Sequence, residues 1–170
     1  MAKAAKSERG ARVVDRATLA QVPTPERTRT WITFGHEEVI ATVTEQLEAA
    51  GFAIESSQFC LTRGGDARMF ATLDLSEQLT DGVSLTIGVQ NSFDKCVALG
   101  FMAGSRVNPC KNLAFRSDLM VAQKHTRFGA DRFLEDIQQA VRSLDSFKKE
   151  ESARIDTLRQ KALSDETPET

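Results

Sequence analysis

Apolar residues recur along this chain with two periods, and the switch between them divides it into a helix, a run of strands and a second helix. Val39, Ile40, Val43, Leu47 and Ala50 fall at three- and four-residue intervals behind Gly35-His36-Glu37-Glu38. That spacing predicts a helix with one apolar face. Its acidic first turn suits the helix dipole, and Gly51 supplies the stop. From Phe52 to about Ala122 the period drops to two. Phe52 to Thr62 and Met69 to Leu75 flank Arg63-Gly64-Gly65-Asp66, a hairpin turn whose glycines can take positive φ at little steric cost. Val83, Leu85, Ile87 and Val89 alternate with Ser84, Thr86, Gly88 and Gln90, which predicts a strand with one face on a core and one polar face. Val97 to Phe101, Ser105 to Cys110 and Asp118 to Ala122 complete five to six strands. Pro109 lacks a ladder donor, so its strand is expected at an edge or a bulge.

A long helix is predicted from about Gly129, with Phe133, Leu134, Ile137, Val141 and Leu144 as the stripe that covers the sheet. Ile155, Leu158 and Ala162 continue the spacing for about two heptads, with Glu151 in the preceding seam position. Self-association through this helix is one reading of that seam, and a solvated tail helix is the other. The element order defines an α+β protein: an antiparallel β-meander of about five to six strands, preceded by one helix and covered by a long C-terminal helix. Residues 1–30 are polar and basic with Pro23 and Pro25 close together, and read as a flexible arm. Residues 31–145 read as a single α+β domain, and 146–170 as a helix extension with a frayed tail. A chain of 170 residues buries one core of this kind.

No run of about 18 apolar residues exists and no apolar stretch follows the basic N-terminus, so the expectation is a cytoplasmic protein with neither membrane span nor secretory signal. Cys60, Cys96 and Cys110 are odd in number and form no Cys-x-x-Cys pair, which points to buried thiols rather than disulfides or zinc. Charge adds more. The net charge is -2, but its sign is segregated along the chain. Residues 1–29 carry seven basic against three acidic side chains, 105–132 six against two, and 30–104 three against ten. Arg106, Lys111, Arg116, Lys124 and Arg127 therefore read either as a phosphate-binding stripe or as a solvated strand face.

Candidate chemistry concentrates in three segments. Asn91, Ser92 and Asp94 follow the cleanest strand, where short polar side chains set turns; read functionally, Asn91 and Ser92 donate to a phosphate and Lys95 adds charge. Asp94 alone is a poor metal ligand and no second carboxylate accompanies it, so neither a metal nor another cofactor is expected. Cys110 and His125 admit a thiolate–imidazole pair as a catalytic alternative, although no third group orients it. His125 between Lys124 and Arg127 reads more naturally as part of a basic cluster that binds anions when protonated. His36 reads as a capping or surface residue. Of ten Phe, Phe59, Phe70 and Phe101 are expected in the core. Phe93, in a polar turn beside Lys95, is the ring expected to stack on a base.

In order and spacing, Gln90-Asn91-Ser92-Phe93-Asp94-Lys95, Val107-Asn108-Pro109-Cys110-Lys111-Asn112-Leu113 and Lys124-His125-Thr126 resemble the phage- and plasmid-borne family called domain of unknown function 932. The residues that carry the resemblance are Asn91, Ser92, Asp94, Cys110, Asn112, His125 and Thr126, within about residues 51–141. It implies a mobile-element setting and no particular reaction. The coarse element order also looks like the core of single-strand annealing recombinases, which lay DNA along a basic groove. The leading expectation is a non-enzymatic nucleic-acid-binding protein, with single-stranded DNA the favoured partner. Its contacts would be Lys95, Arg106, Lys111, Arg116, Lys124, His125, Arg127 and Phe93. The alternative is a protein-interaction module that works through a sheet edge and the C-terminal helix.

Overall fold

Every strand of the sheet pairs antiparallel with the next strand in the chain, so the spatial order repeats the sequence order. The computed structural model describes residues 10–62, 65–108 and 112–165. The elements are β1 (Ala11–Val14), α1 (Arg16–Gln21), α2 (His36–Ala49), β2 (Ile54–Thr62), β3 (Arg68–Thr80), β4 (Val83–Ser92), β5 (Leu99–Val107), β6 (Asn112–Gln123) and α3 (Gly129–Asp165). This is the α+β meander that the two periods predict. Leu61, Leu73, Ile87 and Phe101 on one face of the sheet meet Ile40, Val43 and Leu47 of α2 and Ile137 and Leu144 of α3 in a shared core. Each such side chain contributes roughly 1.5–3 kcal/mol on burial. No described helix is long and apolar enough to cross a membrane.

Local chemistry sets the helix bounds. The Gly35 amide donates to the Glu38 carboxylate at 3.2 Å, and Gly51, at φ 88°, turns the chain out of α2. α1 starts where the Asp15 carboxylate accepts from the Thr18 amide at 2.7 Å. The polar composition of residues 1–30 predicts a flexible arm, and over residues 11–21 the structure differs. β1 adds to the edge of β2, Leu19 is buried, and ion pairs Arg12–Asp66 (2.6 Å) and Arg16–Glu37 (2.8 Å) fasten the segment. Few apolar residues suffice because β2 supplies the ladder and one leucine supplies the anchor.

Two strand expectations also change. β4 is buried on both faces rather than one. Thr86 donates to Asp74 at 2.7 Å and Ser84 accepts from Asn108 at 2.8 Å, so the polar positions of the alternation are satisfied inside the protein. The strands expected at Val97–Phe101 and Ser105–Cys110 meet in the single strand β5, Leu99–Val107, with Gly104 in its interior, and Pro109 and Cys110 lie outside the described residues. Opposite Gly104, β6 bulges: Met102 pairs with Met120 and Gly104 with Phe115, so two steps along β5 match five along β6. A Cβ at Gly104 would overlap the Ala114 carbonyl oxygen and lie 2.7 Å from the Phe115 ring. The glycine is required by that close approach.

α3 buries Phe133, Ile137, Val141, Leu144 and Phe147, whereas Leu134, expected in the stripe, is exposed. It lies about 100° round the helix from Phe133. The helix stays docked well beyond residue 145. Glu151 is fully buried and accepts from Ser105 and Arg154, Ser152 donates to the Leu79 carbonyl at 2.6 Å, and Arg159 to the Asp81 carbonyl at 2.7 Å. Ile155 packs against the core, so one seam residue is used internally while Leu158 faces solvent.

The bulge makes a direct prediction. Gly104→Ala forces β5 and β6 apart and should cost about 1–3 kcal/mol, read as a lower urea midpoint at unchanged slope; an unchanged midpoint would show that the bulge yields freely.

Candidate functional site

Asn91, the last inward-facing residue of β4, has no exposed surface and three polar neighbours. Its Nδ2 donates to the Phe34 carbonyl at 2.7 Å and to His36 Nδ1 at 3.1 Å, and its Oδ1 accepts from His125 Nε2 at 2.8 Å. His36 in turn donates from Nε2 to the Asp66 carbonyl at 2.8 Å. The partners require a proton on Nε2 of both imidazoles; the Asn91 amide donating to Nδ1 makes His36 neutral, and burial disfavours the charged form of His125. Burial lowers the pKa of His36, against the opposing pull of Asp66, and burial alone lowers that of His125. His36 is thus a buried member of the network rather than a cap or surface residue. Phe93 stacks on the His36 ring at 4.0 Å between centroids.

The turn after β4 is fixed by the neighbouring motif residues. Ser92 Oγ donates to the Val97 carbonyl at 2.8 Å and accepts from its amide at 3.3 Å. Asp94 accepts from the Cys96 amide at 3.0 Å and from Arg68 Nε at 2.6 Å. Burial acts to raise the Asp94 pKa, but the Cys96 amide and Arg68 outweigh it and hold the carboxyl below its ordinary range. Held this way, the turn puts Lys95 at φ 61°, with its ammonium 5.2 Å from the centroid of the Trp31 ring.

Against this turn lies a cleft of about 360 Å³ lined by Thr30, Trp31, Lys95, Val97, Ala98, Lys124, His125 and Thr126. The Trp31 wall is held by the Ile32 amide, which donates to the His125 carbonyl at 3.0 Å, and by a Thr28–Trp31 turn. Lys95 and Lys124 are exposed, and among the described residues no carboxylate pairs with either. Arg29 and Arg127 are exposed next to the lining residues Thr30 and Thr126, and Phe128 is 66% exposed. The lining offers two ammoniums, two hydroxyls, an indole and no carboxylate. That set is chemically suited to an anion with an attached ring, and among the described residues it contains no activated nucleophile.

The structure therefore redistributes the expected contacts. Lys95 and Lys124 line the cleft, and the exposed Arg127 follows the lining residue Thr126 in the chain. Arg106 does not line the cleft: its side chain is 11% exposed and its Nε lies 2.9 Å from Asp74, about seven residues or 23 Å along β5 from the cleft end. His125 borders the cleft, but its Nε2 is committed to Asn91 and burial disfavours the charged form. Phe93 is half-buried against His36, so its ring is used in packing. Lys111, Cys110 and the Arg116 side chain lie outside the described residues. Asn108 and Asn112, which bracket Cys110 in sequence, lie at the opposite end of the β5–β6 ladder from His125, where Val107 pairs with Asn112. The Cys110–His125 alternative thus gains no support from the residues around it. Asn112 is seen only through its backbone, and Thr126 lines the cleft.

Trp31 and Thr30 line the cleft and are not among the contacts expected from the sequence. Arg27-Thr28-Arg29-Thr30-Trp31, in which bases and hydroxyls alternate up to the only Trp, carried the available signal. Comparison of the chain with protein-family models, curated proteins and solved structures gives no match.

Two predictions test the network. Asn91→Ala leaves the His36, His125 and Phe34 groups without partners and should lower stability by about 3 kcal/mol, measured by urea unfolding; a decrease under about 0.5 kcal/mol would mean that water replaces the amide. Because both histidines have folded pKa values below the unfolded one, the unfolded chain takes up more protons as pH falls through about 6.5. Stability should therefore be full above about pH 7 and decline towards pH 5.5. In His36→Gln/His125→Gln, which has no imidazole left, that decline should shrink to the carboxylate contribution, whereas an undiminished decline would assign it elsewhere.

Proposed function

We propose that the protein binds single-stranded nucleic acid without acting on it chemically. The observation that carries this reading is the convergence of two unpaired lysines, Lys95 and Lys124, on a cleft walled by Trp31. Ammoniums free of carboxylates release counterions when they meet phosphates. Trp31 and the exposed Phe128 supply rings for unstacked bases, a mode that double-stranded nucleic acid cannot use. Arg29 and Arg127 extend the positive rim. The motif residues support these contacts rather than make them: Asn91, Ser92 and Asp94 fix the turn that carries Lys95, and His125 anchors the segment that carries Trp31. A mobile-element setting, as the family resemblance implies, accords with this function.

A second reading, a protein-interaction module, is favoured by Met120, an apolar side chain half-exposed on the edge strand β6.

Trp31 is the only tryptophan, so its fluorescence reports on the cleft directly. Titration with oligothymidylate should quench it at low ionic strength, and a duplex of equal length should bind more weakly. The log–log salt slope should fall by about 0.7 for each phosphate that is no longer neutralised, or about 1.4 in Lys95→Ala/Lys124→Ala. Neither quenching nor a change in oligonucleotide anisotropy at low salt would overturn the proposal in favour of the protein-interaction module.

A further inference from the structure

The face of the sheet turned away from α2 and α3 carries a depression of about 140 Å³ that includes Cys60, Arg68, Phe70, Gln90 and Val97 in its lining. Val97 also lines the lysine cleft, so the two sites adjoin. Phe70 was expected in the core, but it points to this open face and is 36% exposed. Its ring is steadied by an edge-on contact with Phe115 at 6.1 Å rather than by burial. Gln90 pairs across the ladder with Phe70 on one side and Gly100 on the other. A Cβ at Gly100 would lie 2.8 Å from Gln90 Cγ, so the glycine lets the glutamine side chain lie down on the sheet. The Gln90 amide makes no hydrogen bond among the described residues. Arg68 is held in place by Asp94, and no carboxylate lines the depression.

A partly exposed ring, an unused carboxamide with one donor group and one acceptor, and the absence of unpaired charge match a nucleobase, which has a π face and a polar edge. We infer that this depression is a base-binding subsite for the strand whose phosphates lie at Lys95 and Lys124, with Phe70 stacking the base and Gln90 bonding its edge. The inference rests on the nucleic-acid reading and extends it from the cleft onto the open sheet. Continuity through Val97 is what selects a base of that strand as the occupant over a second copy of the chain.

Phe70→Ala and Phe70→Leu test it, the second keeping apolar bulk while removing the ring; thermal melts establish that each is folded. Affinity for oligothymidylate should fall about tenfold in both, with an unchanged salt slope and unchanged binding of an abasic strand of equal length. Wild-type affinity in Phe70→Leu would overturn the subsite while leaving the cleft proposal standing. So would a shift in oligomeric state in place of weaker binding. Failure of the wild-type chain to bind any strand would overturn both.

Discussion

The Asn91 carboxamide is the joint on which the cleft end of the molecule depends. Its three contacts reach Phe34 just before α2, His36 at the first residue of α2 and His125 after β6, which lie 57, 55 and 34 residues from Asn91. A carboxamide is directional: with its oxygen towards His125 and its nitrogen towards His36, each imidazole has one proton position that satisfies every partner. The reversed amide would set its oxygen against the Phe34 carbonyl, acceptor against acceptor. Buried polar groups left unpaired cost more than paired ones return, so such a network admits one arrangement. From it follow the seat of the Trp31 segment on the His125 carbonyl, the packing of Phe93 on His36 and the position of the turn that presents Lys95.

Ion pairing decides which charges remain available. Asp66, Glu37, Asp94 and Asp74 take Arg12, Arg16, Arg68 and Arg106. Arg106 is drawn into the sheet, and the exposed pairs neutralise carboxylates in the acidic middle of the chain locally. Lys95, Lys124 and Arg127 are left without carboxylates among the described residues. The glycines of the sheet complement this. Gly88 and Gly104 let the Phe115 side chain lie close to the strands, and Gly100 does so for Gln90, so the face opposite the helices is smooth around Phe70, and the charge that borders it, Arg68, is paired with Asp94.

Periodicity made α2, α3 and the alternation of β4 legible, because a helix or strand displays its buried face at fixed intervals whatever it packs against. It did not show that Ser84 and Thr86 are buried as well, since their partners Asn108 and Asp74 lie 24 and 12 residues away. The gap expected between Phe101 and Ser105 is not a break: Gly104 continues β5 there and answers a bulge on β6 that no local pattern announces. The motif segments hold the buried network and the lysine turn, and the roles their residues take there differ from those their spacing suggests. Phe93 looked exposed because its neighbours are polar, while its packing partner is His36, far earlier in the chain.

The sequence by itself determined the order and kind of the main elements, the apolar faces they bury and the places where the chain must turn, because these rest on steric preference and the spacing of side chains along a short stretch. Tertiary structure alone decided which cations stay unpaired, that both histidines are buried and neutral, that Arg106 is sequestered and that Phe70 faces outward. Those outcomes depend on which side chains from distant segments come within a few ångströms of one another. Hydrogen bonds, ion pairs and desolvation act at that range, and one-dimensional spacing does not encode it.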